Sequence, residues 1–448
     1  LSRIVILGGG IAGLTAAYDL GRRGLDVLLL EGEERLGGLI STFGRNGFVM
    51  DGGPDAFLRS KPHARELCEE LGLGGELIPT NPERKRVYVL YEGRLQPLPD
   101  GFRLTVPTRL LPLLGSRLFT LRGKLRMLCE PFVPSRKGEG EESVASFVRR
   151  RFGEQALDRA GEPLLAGIHC GDAERLSMDG LFPSLTDLEK RYGSLTRGML
   201  SQRARGDESV FLSLAGGMSR LVERLAQEIR GEIRLGQRAV AIKRREGGFE
   251  ITLATEERIN AGALVLALPL RVSQALLEGV APLAAIELSR IETVSTAVVF
   301  HAFRAERVGH PLDGYGFVVP VSEPNRLLAA TFVSTKFPSR APPAYVLLRT
   351  FLGGRREPAI LNATDAEIER VSLRELERVL GTLGAPIFSR VVRWADRTPQ
   401  VEVGHRSRIE AFERAIADVP GLFVLGSGLR GVGIPDSIAA ARALAASL

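Results

Sequence analysis

Apolar residues follow two rhythms along this chain, and its elements change where the rhythm changes. Ile4–Leu7 is a short continuous apolar block that leads into a glycine run. Apolar positions then recur at helical spacing over LTAAYDLGRRG, and a second block, VLLL at 27–30, ends in Glu31. Short apolar blocks bounded by turn residues read as buried strands, and a 3.6-residue period reads as an amphipathic helix. The chain therefore opens as strand, turn, helix, strand. Residues 81–100, containing RKRVYVLYEGRLQPLP, alternate like a hairpin that turns at Glu92-Gly93. Residues 101–206 lose this alternation and take helical spacing, as in ESVASFVRRRFGEQALDRAGEPLLAGI.

From Ser213 the pattern predicts a helix in LAGGMSRLVERLAQEIRG, then strands in IRLGQRAVAIKRR, GFEITLA and ALVLALP. Residues 290–350 read largely as strand, and a helix follows over 365–383. GLFVLGSGLRGVGIPDSIAAARALA closes the chain as strand, glycine loop and helix, with Pro435 suited to a first helical turn. No repeat or long linker divides the chain, so its domains are expected to interleave.

Composition narrows the class. With 448 residues, 44% hydrophobic and 25% charged, the chain suits two or three globular domains. Cys68, Cys129 and Cys170 lie far apart, which argues against a disulfide framework or zinc site and suits a reducing compartment. The early strand is expected to leave no room for a leader, and the longest apolar run, ALVLALPL, is strand-length. The expectation is a cytoplasmic protein, lying on the cytoplasmic face of a membrane at most.

The net charge of +7 is concentrated in one place. Residues 101–137 carry eight basic residues against the single acid Glu130, an excess equal to that of the whole chain. LTVPTRLLPLLGSRLFTLRGKLRMLCEPF interleaves these with leucines, which suits a lipid surface better than nucleic acid. A solvated helical face whose leucines pack inward would show the same pattern.

The chemistry starts at the first turn. Gly8-Gly9-Gly10-Ile11-Ala12-Gly13 is a G-x-G-x-x-G run between strand and helix. Its first glycine permits the tight turn, the second admits a pyrophosphate to the backbone, and the third packs helix on strand. The anion would sit on the helix N-terminus, and Glu31 is placed for a ribose hydroxyl. Further glycine turns at Arg35-Leu36-Gly37-Gly38 and Asp51-Gly52-Gly53-Pro54 suggest a cofactor that continues past its pyrophosphate, which favours FAD over NAD. The last helix could bring a second N-terminus to the flavin and favour negative charge on its reduced form.

GGGIAGL, Glu31, RLGG and DGGP at the front, with LFVLGSGLRGVGIPDS at the back, resemble the flavin amine oxidase superfamily. Within it, GPDAFLRS (53–60), LLAGIHCGDAERLSMDGLFPSL (164–185), DGYGFVVP (313–320) and RWADRTPQVEVGH (393–405) are similar to the oxygen-dependent porphyrinogen oxidases of haem synthesis. The resemblance spans essentially the whole chain. It implies an α/β fold with a Rossmann-like FAD-binding domain of the glutathione-reductase and amine-oxidase type, drawn from residues 1–80, 207–270 and 393–448. A mixed-sheet substrate domain would take 81–100 and 271–392. A helical insert, membrane-associated in some members, would take 101–206.

The same resemblance implies oxidation of protoporphyrinogen IX or coproporphyrinogen III, nonaromatic tetrapyrroles with propionate arms, in three two-electron rounds. FAD would take a hydride each time, and molecular oxygen would leave as hydrogen peroxide. The partners implied are the tetrapyrrole and oxygen, with a peripheral membrane through 101–137 and a homodimer left open. No metal or nucleic acid is expected. Gly8, Gly9, Gly10, Ile11, Ala12, Gly13, Glu31, Arg35, Gly38 and Leu39 would contact FAD. Gly53, Pro54, Asp55 and Ala56 would run near its ring, and Val240 would meet the adenine through its backbone. Trp394 would touch the cofactor, and Val432, Gly433 and Ile434 would form the loop at its pyrimidine end.

On the substrate side, Arg103 would pair with a propionate, which a guanidinium can grip with two N–H groups. Gly167 would leave room for the macrocycle, and Phe317 and Phe351 would line an apolar pocket. Arg103 could equally belong to the basic helical face, and Trp394 and the two phenylalanines to the core. No acid–base pair stands out, so the catalytic group is left to the flavin, and His169 reads as packing. Two departures from the family affect substrate choice: Val401 replaces the tyrosine of a Pro-Gln-Tyr run, and Pro435-Asp436-Ser437 replaces Asn-Asp-Cys. Two other readings compete. An amine oxidase would place an aromatic pair at the flavin, where this chain has Gly404-His405-Arg406 and only six tyrosines overall. A carrier could bind tetrapyrrole around a structural flavin.

Overall fold

The computed structural model describes residues 3–103, 105–136, 138, 140–201 and 209–448. Lys137 of the basic run and the expected boundary at 206–207 lie outside the described residues, as does the side chain of Arg103.

Five parallel strands form the first sheet, in the order Glu232–Arg234, Val27–Leu30, Ile4–Leu7, Ala263–Leu266, Leu422–Val424. Three distant segments thus supply one sheet. Every residue of its three inner strands is buried, which is why they appear in sequence as unbroken apolar runs rather than alternations. One face packs the helices Ile11–Arg22 and Ile434–Ser447. The other face packs an antiparallel ribbon, Ala239–Arg245, Gly248–Leu253 and Arg258–Ala261.

The second sheet has seven strands, ordered Phe388–Pro399, Thr293–Arg304, Tyr345–Gly353, Ala329–Phe332, Gly316–Val318, Val87–Tyr91, Arg94–Pro97. Only Gly316–Val318 with Val87–Tyr91 is parallel. The hairpin Val87–Tyr91/Arg94–Pro97 turns through Glu92 and Gly93, both with positive φ, the geometry that matches strand twist. Helix Asp365–Leu380 covers one face of this sheet. It begins at a capping box in which Thr364 accepts from the Glu367 N–H and Glu367 accepts from the Thr364 N–H.

Two expected boundaries move. Helices Leu270–Leu277 and Pro282–Ser289 bury Leu276, Leu277, Ala284 and Leu288 against Val5 and Leu7 of the parallel sheet, so the second unit begins at Thr293 rather than at 271. The strand Phe388–Pro399 runs through residue 393, and Trp394 pairs with Thr296, so Trp394 belongs to the second sheet. Hydrogen-bonded pairing, invisible in a local pattern, decides both.

The insert is helical and contains a ten-residue π-helix, Leu157–Ala166, that ends at Gly167. Its core holds a buried ion pair. Arg151 and Glu130 are both 0% exposed and bonded to one another. Arg151 also donates to the carbonyls of Val133 (2.9 Å) and Gly193 (3.1 Å). Glu130 accepts from the Ser194 hydroxyl (2.7 Å) and from the N–H groups of Leu195 (2.9 Å) and Thr196 (3.1 Å), at the start of helix Leu195–Ser201. Burial alone would raise the Glu130 carboxyl, but these bonds outweigh it and hold the group below its ordinary range.

Removing one partner of such a pair strands the other charge in the interior and costs about 3–5 kcal/mol. Arg151→Leu should therefore lower the melting temperature and open residues 105–201 to limited proteolysis. The double variant Glu130→Gln/Arg151→Met should recover much of the loss, and wild-type proteolysis in Arg151→Leu would refute this account.

Candidate functional site

Three glycine turns meet along the carboxyl edge of the parallel sheet, where open α/β sheets bind ligands. In the first, Gly8 has φ +107°, and a Cβ on it would lie 2.4 Å from the Ala267 carbonyl oxygen. A Cβ on Gly13 would lie 1.9 Å from the Gly8 oxygen, which locks helix to strand. Gly10 is different: its backbone is extended, and a Cβ there would meet nothing within 4 Å. The helix Ile11–Arg22 begins beside this open space with no side-chain cap and no acid in its first turn. Its first N–H groups are thus left without a side-chain acceptor beside open space, the arrangement that suits a phosphate.

Glu31 closes the adjacent strand. Its carboxylate accepts from the Gly9 N–H at 2.6 Å and the Glu33 N–H at 2.9 Å. A carboxylate has about four lone-pair directions, so capacity remains for ribose hydroxyls. The Gln237 N–H donates to the Glu31 carbonyl at 2.7 Å, which brings the strand Ala239–Arg245 alongside. Val240 is the bulged residue of that strand: pairing passes from Ala239 to Ala241 and leaves its backbone out of the ladder. That suits a residue expected to use its backbone at the adenine end.

The second turn, 35–40, is tied to the first by Gly37 N–H donating to Gly9 O at 2.8 Å. Arg35 folds back onto this turn and donates to Gly38 O at 2.7 Å, so it braces the loop. The third turn packs against the second: a Cβ on Gly53 would lie 1.8 Å from the Leu39 oxygen. Pro54, Asp55 and Ala56 continue from there, half-buried. The Trp394 indole N–H donates to Gly52 O at 2.9 Å and so holds this turn from behind. Val432 and Gly433 precede the final helix, whose first residue is Ile434. The Asp436 carboxylate accepts from the Gly433 N–H and pairs with Lys61 at 2.6 Å. The full path, from Val240 and Glu31 through Gly10 to Gly53–Ala56, fits an extended dinucleotide.

Residues that local reasoning missed stand behind the third turn. Arg349 donates to Gly53 O at 2.5 Å, Lys336 lies 2.8 Å from Asp55, and Arg340 lies 3.0 Å from Asp51. Burial alone would raise the Asp55 carboxyl, but the cations beside it outweigh that effect and hold it below its ordinary range. One signal was available: Arg349 interrupts the apolar strand AYVLLRTFLGG, and a buried charge requires partners.

The substrate-side residues divide by strand face. Phe351 is half-buried on the face that carries Arg349, whose guanidinium lies 4.5 Å from its ring centre. Phe317 is 1% exposed and packs with Phe332 and Leu352 in the core under helix Asp365–Leu380. Register explains this correction: Phe317 pairs with Ala330, and Ala330 with Thr350, whose hydroxyl bonds Ser372 on that helix. Phe317 therefore faces away from the pocket it was expected to line. The Arg103 backbone is in a short strand paired with Val106.

Gly167 lines a cavity of about 380 Å³ together with Cys170, Glu162, Arg356, Val321 and Leu328. Burial lowers the His169 imidazole to about 4 and raises the Cys170 thiol to about 12, so both are neutral near pH 7. Neither is prepared as a base or nucleophile. Val401, the departure from the family's tyrosine, is 3% exposed, and a Cβ on Gly180 would lie 2.5 Å from it. It is a packing contact with the insert.

The profile of the flavin containing amine oxidoreductases matches residues 11–448. The chain is 30% identical to coproporphyrinogen III oxidase of Bacillus subtilis (strain 168), covering 97% of this chain and 95% of that protein. It is 27% identical to protoporphyrinogen oxidase 2, chloroplastic/mitochondrial, of Arabidopsis thaliana, covering 98% and 92%. A crystal structure from Exiguobacterium sp. 255-15, provisionally named a protoporphyrinogen oxidase, superposes with a TM-score of 0.90. It is 32% identical, with 100% of this chain and 98% of that chain covered.

Gly10→Ala isolates the cradle from the fold. The open space should keep its effect on unfolding stability within about 0.5 kcal/mol. Flavin affinity should fall at least roughly tenfold, about 1.4 kcal/mol, measured by fluorescence titration of the apoprotein. Unchanged affinity would place the dinucleotide elsewhere.

Proposed function

The chain belongs to the family of flavin containing amine oxidoreductases, and from that premise we propose that it is an FAD-dependent, oxygen-using porphyrinogen oxidase of haem biosynthesis. The observation that carries this reading is the 30% identity to a coproporphyrinogen III oxidase along nearly the full length of both chains, insert included. Coproporphyrinogen III is accordingly the favoured substrate, ahead of protoporphyrinogen IX.

When bound, FAD supplies the two-electron chemistry: it accepts hydrogen from the macrocycle and returns electrons to oxygen, which leaves as hydrogen peroxide. The chain's own part is to bind, orient and exclude water. Glu31 and the helix at Gly10 hold the nucleotide end, while Trp394 and Arg349 fix the turn expected beside the ring. Phe351 offers an apolar ring to the pyrroles of the macrocycle, and Gly167 keeps space where a side chain would intrude. His169 and Cys170, both neutral near pH 7, leave the redox step to the cofactor and substrate. An amine oxidase is supported less well. His405, in the run where such enzymes carry an aromatic, is buried and bonded to the Leu429 carbonyl.

The proposal extends to a surface. Helices Leu110–Gly115 and Leu121–Leu128 are linked by the Lys124 ammonium donating to Leu114 O at 2.7 Å. They expose Leu110, Leu111, Leu121 and Leu125, with Phe132 close by in sequence at 82% exposure. Arg109, Arg117 and Arg122 are exposed among them. No described helix is long and apolar enough to cross a membrane. We read this face as lying on an anionic membrane surface.

Each porphyrinogen supplied in air to the flavin-loaded protein should yield porphyrin fluorescence and hydrogen peroxide above a no-enzyme blank, coproporphyrinogen III fastest. A simple amine should yield neither. Oxidation of the amine alone would overturn the assignment. Vesicles containing phosphatidylglycerol should sediment the wild type, and Leu111→Ser/Phe132→Ser should stay in solution. Equal retention by neutral vesicles would show that the basic residues contribute nothing.

A further inference from the structure

The turn Asp51–Ala56 is held by side chains from several elements. Its Gly52 carbonyl accepts from Trp394, its Gly53 carbonyl from Arg349, and its Asp55 carbonyl from the Ser213 hydroxyl at 2.6 Å. Its two carboxylates face the same way, Asp51 toward Arg340 and Asp55 toward Lys336 and Arg349. The Gly52 and Gly53 carbonyl oxygens thus point to the second sheet, through Trp394 and Arg349, and the Asp55 carbonyl points to the strand Phe211–Leu214.

Behind the turn the charges do not balance. Arg340, Lys336 and Arg349 are three cations against two carboxylates, with side chains 1%, 15% and 6% exposed. Arg349 is the least compensated. Its nearest approach to Asp55 is 3.9 Å, its Nε is buried without a hydrogen-bond partner, and the rings of Phe300 and Phe351 lie 5.7 and 4.5 Å from it. A guanidinium stays charged at any working pH. Held among apolar rings, its field is screened far less than in water.

The direction of that field follows from the order of the cradle. Glu31 and Val240 mark the adenosine end, and Gly10 with the first helix marks the pyrophosphate. The remainder of a flavin dinucleotide therefore runs toward Gly53–Ala56. A flavin gains negative charge on reduction, and a fixed cation behind this turn stabilises the reduced form more than the oxidised one.

We propose that Arg349, acting through the Gly53–Ala56 backbone as a positioning residue, raises the electron affinity of the flavin that this turn faces. The inference rests on the FAD reading above but not on the choice of substrate. Arg349 also acts mechanically, since its bond to Gly53 O fixes the turn against which the ring lies.

The test is the midpoint potential of the flavin-loaded protein, read by dye equilibration during slow reduction. Arg349→Gln keeps a hydrogen-bond donor and removes the charge. It should lower the equilibrium constant for two-electron reduction at least roughly tenfold, a shift of about 30 mV to more negative potential. Asp55→Asn removes an anion from the same cluster and should shift the potential the opposite way. A merely structural role would move neither potential, or both in one direction, and either result overturns the proposal. If Arg349→Gln fails to fold, Lys336→Met removes a cation from the more exposed edge of the cluster and must shift the potential in the negative direction. Absorbance of the purified wild type reports separately on the premise: a chain that retains no flavin overturns the FAD reading and this inference with it. Bound flavin without porphyrinogen oxidation overturns only the substrate assignment.

Discussion

Backbone meets backbone three times at the edge of the parallel sheet, and everything functional is arranged around those contacts. Gly13 rests on the Gly8 carbonyl, Gly37 bonds Gly9, and Gly53 rests on Leu39. Gly8, Gly13, Gly37 and Gly53 have no room for a Cβ, whereas Gly10 does. Excluding side chains at the contacts allows three turns from separate stretches of chain to line one groove. The turns then present N–H groups and open space in place of side chains, as close approach to a phosphate requires.

The second organising element is buried charge. In the insert, Arg151 and Glu130 are paired and capped by further donors, and Glu189 joins Arg151 to Arg150, so the buried charges there are knit into one hydrogen-bonded network. Behind the Gly53 turn, cations outnumber anions, and Arg340 and Arg349 are nearly fully buried. The same residue types therefore do different physical work at the two places. Charge tied into a network specifies a packing arrangement, whereas a cation short of partners, such as Arg349, projects a field.

Neither His169 nor Cys170 is prepared for proton transfer, which agrees with a reaction whose redox step belongs to the flavin. Dehydrogenation at a flavin asks the protein for a shaped, dry space rather than a proton relay. Val401, just past the strand Phe388–Pro399, packs against Gly180 and shows that one of the family departures is spent on packing the insert.

Much of this was legible in the residues themselves. The strand–turn–helix opening, the glycine runs, Glu31 and the hairpin at Glu92-Gly93 depend on neighbours in sequence, where φ preferences and apolar period act directly. The expected domain ends at 271 and 393 moved because strand pairing and helix docking join segments that lie far apart in the chain. Phe317 was misplaced because an apolar residue in a strand flanked by apolar residues does not declare its face; only register with Ala330 and Thr350 does. Arg349 was visible only as an odd charge in an apolar strand, its partners lying nearly three hundred residues upstream at Gly53 and Asp55. Local sequence determined which elements form and which cofactor they suit. Tertiary structure alone decided which strand faces meet and where unbalanced charge is buried, because both depend on contacts between residues that the chain keeps far apart.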